Sequence, residues 1–265
     1  MTPRPRPAAI VPATLGALLV LFVVGPLLRL LLAAPSGLGA AAADPALRRA
    51  IALTVLTALA ATGLGLLLGL PLAWLLARRR FRGRGLLLGL LDLPIVVPHP
   101  VAGIALLLFL GRRTAVGETL AALGLEVVGR PAGIVAAMLF VSVPFLVGGA
   151  REAFEAVDPR LERVARSLGD GPWDAFRHVT LPLAGRGILA ASALAWARAV
   201  SEFGAIVILT YHPSVASVLI YDRFTTEGLP GAIPAAVLLL AVALAVLVLV
   251  HLLRGARPGP ADAPR

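Results

Sequence analysis

The chain has 265 residues, of which 59% are hydrophobic and 14% charged, with a formal net charge of +10. A soluble domain carries roughly 25% charged residues, so this composition excludes a soluble globular protein and leaves little material for a domain outside a membrane. There is no Cys, which excludes disulfides and thiolate metal sites, and all 24 basic residues are Arg, which excludes P-loop, Schiff-base and kinase-type lysine chemistry.

Six segments hold the roughly 20 apolar residues that a helix needs to cross the hydrocarbon. They are 8–32, 51–77, 86–110, 132–149, 188–209 and 232–253. Each must be helical, because lipid offers no partner to an unpaired backbone group. The first follows Arg4 and Arg6, as a signal peptide would, but its apolar run continues to residue 34. That exceeds an h-region of roughly 7–15 residues, so it reads as an uncleaved span.

Arginine placement sets the orientation. One set of loops and ends holds Arg4, Arg6, Arg78, Arg79, Arg80, Arg82, Arg84, Arg151, Arg160, Arg163, Arg166, Arg177, Arg186, Arg254, Arg257 and Arg265. The other holds Arg48, Arg49, Arg112, Arg113, Arg130 and Arg223, with Arg29 and Arg198 inside spans. Sixteen against six places both termini and the 151–187 loop in the cytoplasm. The positive charge belongs to this pattern, and no nucleic-acid partner is expected.

Gly and Pro interrupt the spans, as at Gly63, Gly65, Gly69 and Pro71, or Pro94, Pro98 and Pro100. These read mainly as packing and kink positions. Asp92 and His99 lie seven apart, on roughly one face of the Pro-broken third span; the Pro-rich bend reads as a gate or helix break near the pore, and a proton relay through the two residues is the alternative. Two such residues are too few for a metal site, so no metal or other cofactor is expected. Arg29 either snorkels or meets Asp44. His178, His212 and His251 receive no role.

The polar loop 151–187 carries dense helix punctuation. Asp158-Pro159 is a helix start. Leu161, Val164, Ala165 and Leu168 recur at helical spacing, with Arg160, Glu162, Arg163, Arg166 and Ser167 among them. Gly169 is a stop in left-handed geometry. Asp170-Gly171-Pro172 starts a second short helix bearing Trp173, Asp174, Phe176, Arg177 and Val179. Leu181-Pro182 ends that helix and turns the chain back to the membrane. The expectation is two short helices about a Gly turn, with Trp173 and Phe176 exposed. An interfacial helix pair accounts for Trp and Arg; the tightly specified turn points instead to a pocket on a partner protein.

Within the fifth span, Arg198 and Glu202 are four apart and share a helical face. Charges in spans are costly and are functional candidates. The pair reads as an internal ion pair; the alternative has Arg198 facing the path of a dianion.

The loop resembles the coupling segment of ABC importer membrane subunits. That family's pattern is Glu-Ala-Ala, three residues, Gly, nine residues, Ile, one residue, Leu-Pro. Arg163, Val164 and Ala165 occupy the first places, followed at the correct spacing by Gly169, Val179 and Leu181-Pro182. Arg163 stands where the family is acidic, with Glu162 beside it. The stretches 92–100, 151–159 and 196–205, the last containing Glu202-Phe203-Gly204-Ala205, and the segment 213–234 resemble oxyanion importers, and most of all the molybdate/tungstate permeases. The match covers roughly 45–253.

The resemblance implies an all-α, six-span type I importer permease. It forms a single domain over 1–265, with a core at 45–253 and a cytoplasmic coupling loop at 151–186. It implies a homodimer in the cell (inner or plasma) membrane, two separate ABC ATPase subunits below, and an extracytoplasmic oxyanion-binding protein outside. The chain itself is then not an enzyme. The coupling residues are Arg163, Ala165, Arg166, Ser167, Leu168, Gly169, Asp170, Gly171, Trp173, Asp174, Phe176, Arg177, Leu181 and Pro182. Asp92, Pro94, Pro98, His99, Arg198, Glu202, Phe203 and Gly204 are expected at the translocation path or gate. Two alternatives stand beside this: a sulfate/thiosulfate permease, and a gradient-driven transporter with Asp92, His99 and Glu202 as relay. A membrane enzyme is not favoured, since the chain has neither a Gly-x-Ser-x-Gly elbow nor a His-Glu-x-x-His pair.

Overall fold

The computed structural model describes residues 7–34 and 37–255. Arg4, Arg6, Arg257 and Arg265, used above for orientation, lie outside the described residues. Among the described residues the structure is helical, with no strand. The long helices are α1 (Pro7–Ala33), α3 (Pro45–Arg78), α7 (Pro131–Glu155), α10 (Leu181–Val200) and α13 (Leu229–Gly255). Shorter ones are α2 (Leu38–Ala43), α4 (Arg84–Val96), α5 (His99–Leu110), α6 (Ala115–Ala122), α8 (Pro159–Ser167), α9 (Pro172–Ala175), α11 (Gly204–Leu209) and α12 (Ala216–Glu227). A π turn, Phe176–Thr180, joins α9 to α10.

Five helical stretches are long and apolar enough to cross a bilayer, and the pair α4–α5 is a sixth if taken as one broken span. The third expected span is therefore not straight. It bends by 115° between Val96 and His99. Val97 precedes Pro98 and takes extended geometry, at φ −69° and ψ 126°, as a residue before proline does.

The fifth span differs from expectation at both ends. The helical rod begins at Pro172 and ends at Val200, not at residues 188 and 209. Leu181-Pro182 does not turn the chain. Pro182 offers no N–H, and its ring crowds the carbonyl of the preceding turn. The π turn widens that point, and the Leu181 N–H bonds to the Phe176 carbonyl, five residues back. At the far end, residues 204–209 form the separate helix α11, packed on α5.

The centre of the molecule is α7, packed between α3 and α10. One part of the core contains Ala58, Ile134, Met138, Trp196 and Ile206; a second contains Leu76, Val147, Phe154 and Ala184. Small residues let these helices approach. A Cβ added at Gly187 would lie 2.4 Å from Ala153 Cβ, and one at Gly149 would lie 2.7 Å from Ala191 Cβ. Gly187→Leu should therefore force α10 off α7, at about 1–3 kcal/mol. Gly63→Leu, where an added Cβ meets nothing within 4 Å, should shift stability by no more than about 0.5 kcal/mol. Thermal unfolding of the two variants in detergent checks the contrast.

At the end away from α8, Asp44 caps α3 by accepting from the Ala46 N–H at 2.8 Å. Its other oxygen pairs with Arg223 of α12, not with Arg29. The Arg223 hydrogen bond, helped by the Ala46 N–H, holds the Asp44 carboxyl below the usual carboxylate range.

Candidate functional site

Two groupings of residues emerge, at opposite ends of the α9–α10 rod. The first is the segment 158–182. Asp158 caps α8 by accepting from the Arg160 N–H at 2.8 Å. Gly169 has φ +109°, a conformation that a side chain disfavours. The Asp170 N–H returns to the Ala165 carbonyl at 3.2 Å and closes the helix end. Pro172 then opens α9.

The segment is bolted to the membrane helices by a carboxylate outside the expected coupling set. Glu162 accepts from Arg78 Nε at 2.9 Å and from the Thr180 hydroxyl at 2.7 Å. It joins α8 to the end of α3 and to the π turn. Arg78 also donates to the Val157 carbonyl at 3.1 Å. Phe176 is half-buried rather than exposed. Its ring centroid lies 5.7 Å from Trp74, 6.0 Å from Phe154 and 5.4 Å from Trp173. Trp173 remains 67% exposed, stacked on Phe176.

Leu161, Val164 and Leu168 point outward, Leu168 at 83% exposure. None of α8 is buried. Arg163, Arg166, Ser167, Asp174, Arg177 and Pro182 are exposed, whereas Ala165, Asp170, Gly171 and Leu181 are partly covered. The polar helix α8 thus carries an exposed apolar row and is held from behind by Glu162.

The second grouping lies at the break between α10 and α11. Glu202 is 1% exposed. Its Oε1 accepts from the Ala205 N–H at 2.8 Å. Its Oε2 lies 3.1 Å from Arg198 Nη2 and 2.7 Å from His99 Nδ1. Its backbone carbonyl accepts from the Ser217 hydroxyl at 2.8 Å. One residue thus ties α10, α5, α11 and α12. Arg198 Nη2 is 2.9 Å and 2.8 Å from the two His99 ring nitrogens. A single atom that near to both sits over the ring, not in its plane. Gly204 permits the contact, since a Cβ there would lie 2.7 Å from His99 Cβ. Phe203 packs on Tyr221 at 5.0 Å.

Asp92 does not join this cluster. The bend between α4 and α5 removes the common face, and Asp92 is exposed on α4. Pro94 lies within α4, and Pro98 immediately precedes α5 at the break. Hydropathy and spacing identified the Arg198–Glu202 pair and placed His99 at the expected path, but not in contact with the pair. The signal available was the Pro-flanked His99 at a helix break. Among the described residues no group of three His, Cys, Asp or Glu could hold a metal.

Comparison with known proteins identifies the family. Residues 65–257 match the family model of binding-protein-dependent transport system inner membrane components. The molybdate/tungstate transport system permease protein of Pyrococcus furiosus is 41% identical over 246 residues, covering 92% of this chain and 94% of that one. Its counterpart in Thermococcus kodakarensis is 42% identical over 212 residues, covering 80% and 81%. The sulfate transport system permease protein of Escherichia coli is 34% identical over 215 residues, covering 80% and 78%. Among solved structures, a chain of a bacterial alginate ABC transporter superposes with TM-score 0.68 at 21% identity, covering 93% of each chain. A chain of an inward-facing methionine ABC transporter superposes with TM-score 0.64 at 17% identity, covering 79% of this chain and 95% of that one. The all-helical fold is that of ABC importer permeases, and the chain belongs to the family of binding-protein-dependent transport system inner membrane components.

Proposed function

We propose that this chain is the membrane-spanning permease subunit of an ATP-driven importer for molybdate and tungstate. The observation that carries the reading is the 158–182 segment, a rigid element with an exposed apolar row, braced by Glu162 and Phe176. It is suited to dock on a soluble partner. The identity to molybdate/tungstate permeases supports the substrate. With no Lys in the chain, a Walker motif must lie on that partner.

On this reading two ATPase subunits bind the segment, a binding protein delivers the oxyanion from outside, and two copies of the chain enclose the path. The arginine distribution supports a cytoplasmic position for both termini and the segment, in a cell whose inner membrane holds the protein. The rod of 29 residues from Pro172 to Val200 is about 43 Å long. It runs from the docking turn to the Glu202 cluster. Rigid-body movement of the turn therefore reaches the α4–α5 break through Arg198, Glu202 and His99. A relay through Asp92, His99 and Glu202, as in a gradient-driven carrier, is disfavoured because Asp92 stands apart.

The test is co-reconstitution with the ATPase and the binding protein in liposomes. Binding protein loaded with molybdate or tungstate should stimulate ATP hydrolysis and uptake at least about tenfold more than protein offered sulfate, a difference of roughly 1.4 kcal/mol. Equal or greater stimulation by sulfate would move the chain to the sulfate permeases. Uptake that persists without ATP would reject the ATP-driven reading.

A further inference from the structure

A groove of about 840 Å³ runs between α3 and the coupling element. Leu66, Leu67, Leu70 and Trp74 form one wall; Trp173 and Phe176 contribute to the other. Leu67, at 70% exposure, and Trp173 flank its open side. From Leu66 to Trp74 the helix rises about 12 Å, within the apolar part of α3. A soluble partner does not reach that depth. Every residue that lines it is apolar, which is the chemistry that an acyl tail matches.

The charges at the cytoplasmic mouth point the same way. Arg78 and Arg84 are paired with Glu162 and Glu155. Arg79, Arg80 and Arg82, in the turn that leaves α3, and Arg177, one residue beyond Phe176, are exposed and have no carboxylate within ion-pairing reach among the described residues. They are surplus cations close in the chain to the lining residues Trp74 and Phe176.

We propose that this groove is a binding site for an anionic phospholipid of the cytoplasmic leaflet. An acyl tail lies against Trp74, Trp173 and Phe176, and the phosphate sits on Arg79, Arg80, Arg82 and Arg177. The lipid touches α3 and the coupling element together, so it sets their spacing. The inference does not rest on the transported substrate, and its readout is independent of transport.

Tryptophan fluorescence tests it. The chain has three Trp; Trp196 is buried in the core, and Trp196→Phe leaves Trp74 and Trp173 as reporters. The full-length chain is placed in nanodiscs of phosphatidylcholine containing increasing brominated phosphatidylglycerol, and separately brominated phosphatidylcholine. Saturable quenching is expected, with a half-saturating mole fraction roughly tenfold lower for the anionic lipid. The exposed-site variant Arg79→Gln/Arg80→Gln/Arg82→Gln should bring that value up towards the phosphatidylcholine one. Leu70→Phe, which narrows the slot, should weaken quenching by both lipids. Identical curves for the two lipids, or a preference unchanged by the triple substitution, would overturn the proposal. No quenching by either lipid would mean that protein covers the groove, and would overturn it as well.

Discussion

Glu202→Ala should be among the most damaging single changes in this protein, lowering stability by about 3 kcal/mol. Two effects combine. The Arg198 side chain, 21% exposed, loses its only carboxylate among the described residues and is left as a poorly solvated cation. The Ala205 N–H, which opens α11, loses its acceptor. The value sits at the low end of the range for a broken buried pair because Arg198 and His99 retain some solvent access. Glu202→Gln is the informative comparison. It keeps a carbonyl oxygen for the Ala205 N–H and removes the charge, so its loss should be about half as large, on the order of 1–2 kcal/mol. Thermal unfolding of wild type and both variants in one detergent checks the order. If the two variants are equally damaged, the Ala205 cap contributes nothing and the charge accounts for the whole effect.

The second large effect is expected at Glu162, and there it should appear in coupling more than in stability. Glu162→Ala removes the acceptor shared by Arg78, 10% exposed, and the buried Thr180 hydroxyl. The fold should lose about 1–3 kcal/mol, because Phe176, Trp74 and Phe154 still hold the π turn. α8, none of whose residues is buried, would lose its main tether. Stimulation of the ATPase should fall by at least about tenfold, equivalent to roughly 1.4 kcal/mol of lost coupling. Arg163→Ala provides the contrast. Arg163 is exposed and unpaired within the described chain, so its stability should change by no more than about 0.5 kcal/mol. Any loss of stimulation there must come from a contact with the partner. If Glu162→Ala leaves stimulation intact, the bracing role assigned to this carboxylate is wrong.

Much of the architecture was legible because bilayer physics writes it in blocks. The apolar runs gave the spans. Asp158-Pro159, Gly169 and Gly171-Pro172 gave the bounds of α8 and the start of α9. Pro98 gave the break in the third span. What escaped was set by partners distant in sequence. A hydropathy run passes smoothly over Ser201 to Phe203, so the end of α10 could be found only from Glu202 turning back to cap Ala205. His99 reaches Arg198 across 99 residues, and Arg78 reaches Glu162 across 84; no local pattern encodes either contact. Phe176 was read as exposed because its neighbours in sequence are polar, whereas its neighbours in space are Trp74 and Phe154. Leu181-Pro182 was read as a turn because proline usually ends a helix, and the π turn that spares the rod leaves no mark in composition.

The docking role of the 158–182 segment is the central claim. Its most direct test is the amount of P-loop ATPase that co-purifies stoichiometrically with the chain when the two are expressed together, for wild type and for Gly169→Asp. At Gly169 an added Cβ meets nothing, but the backbone sits at φ +109°, so an acidic side chain there strains and recharges the turn without entering the core. The account predicts that the variant inserts in the membrane, keeps a thermal midpoint close to wild type, and retains little or no ATPase. Full retention of the ATPase by Gly169→Asp, with oxyanion uptake unchanged, would contradict it.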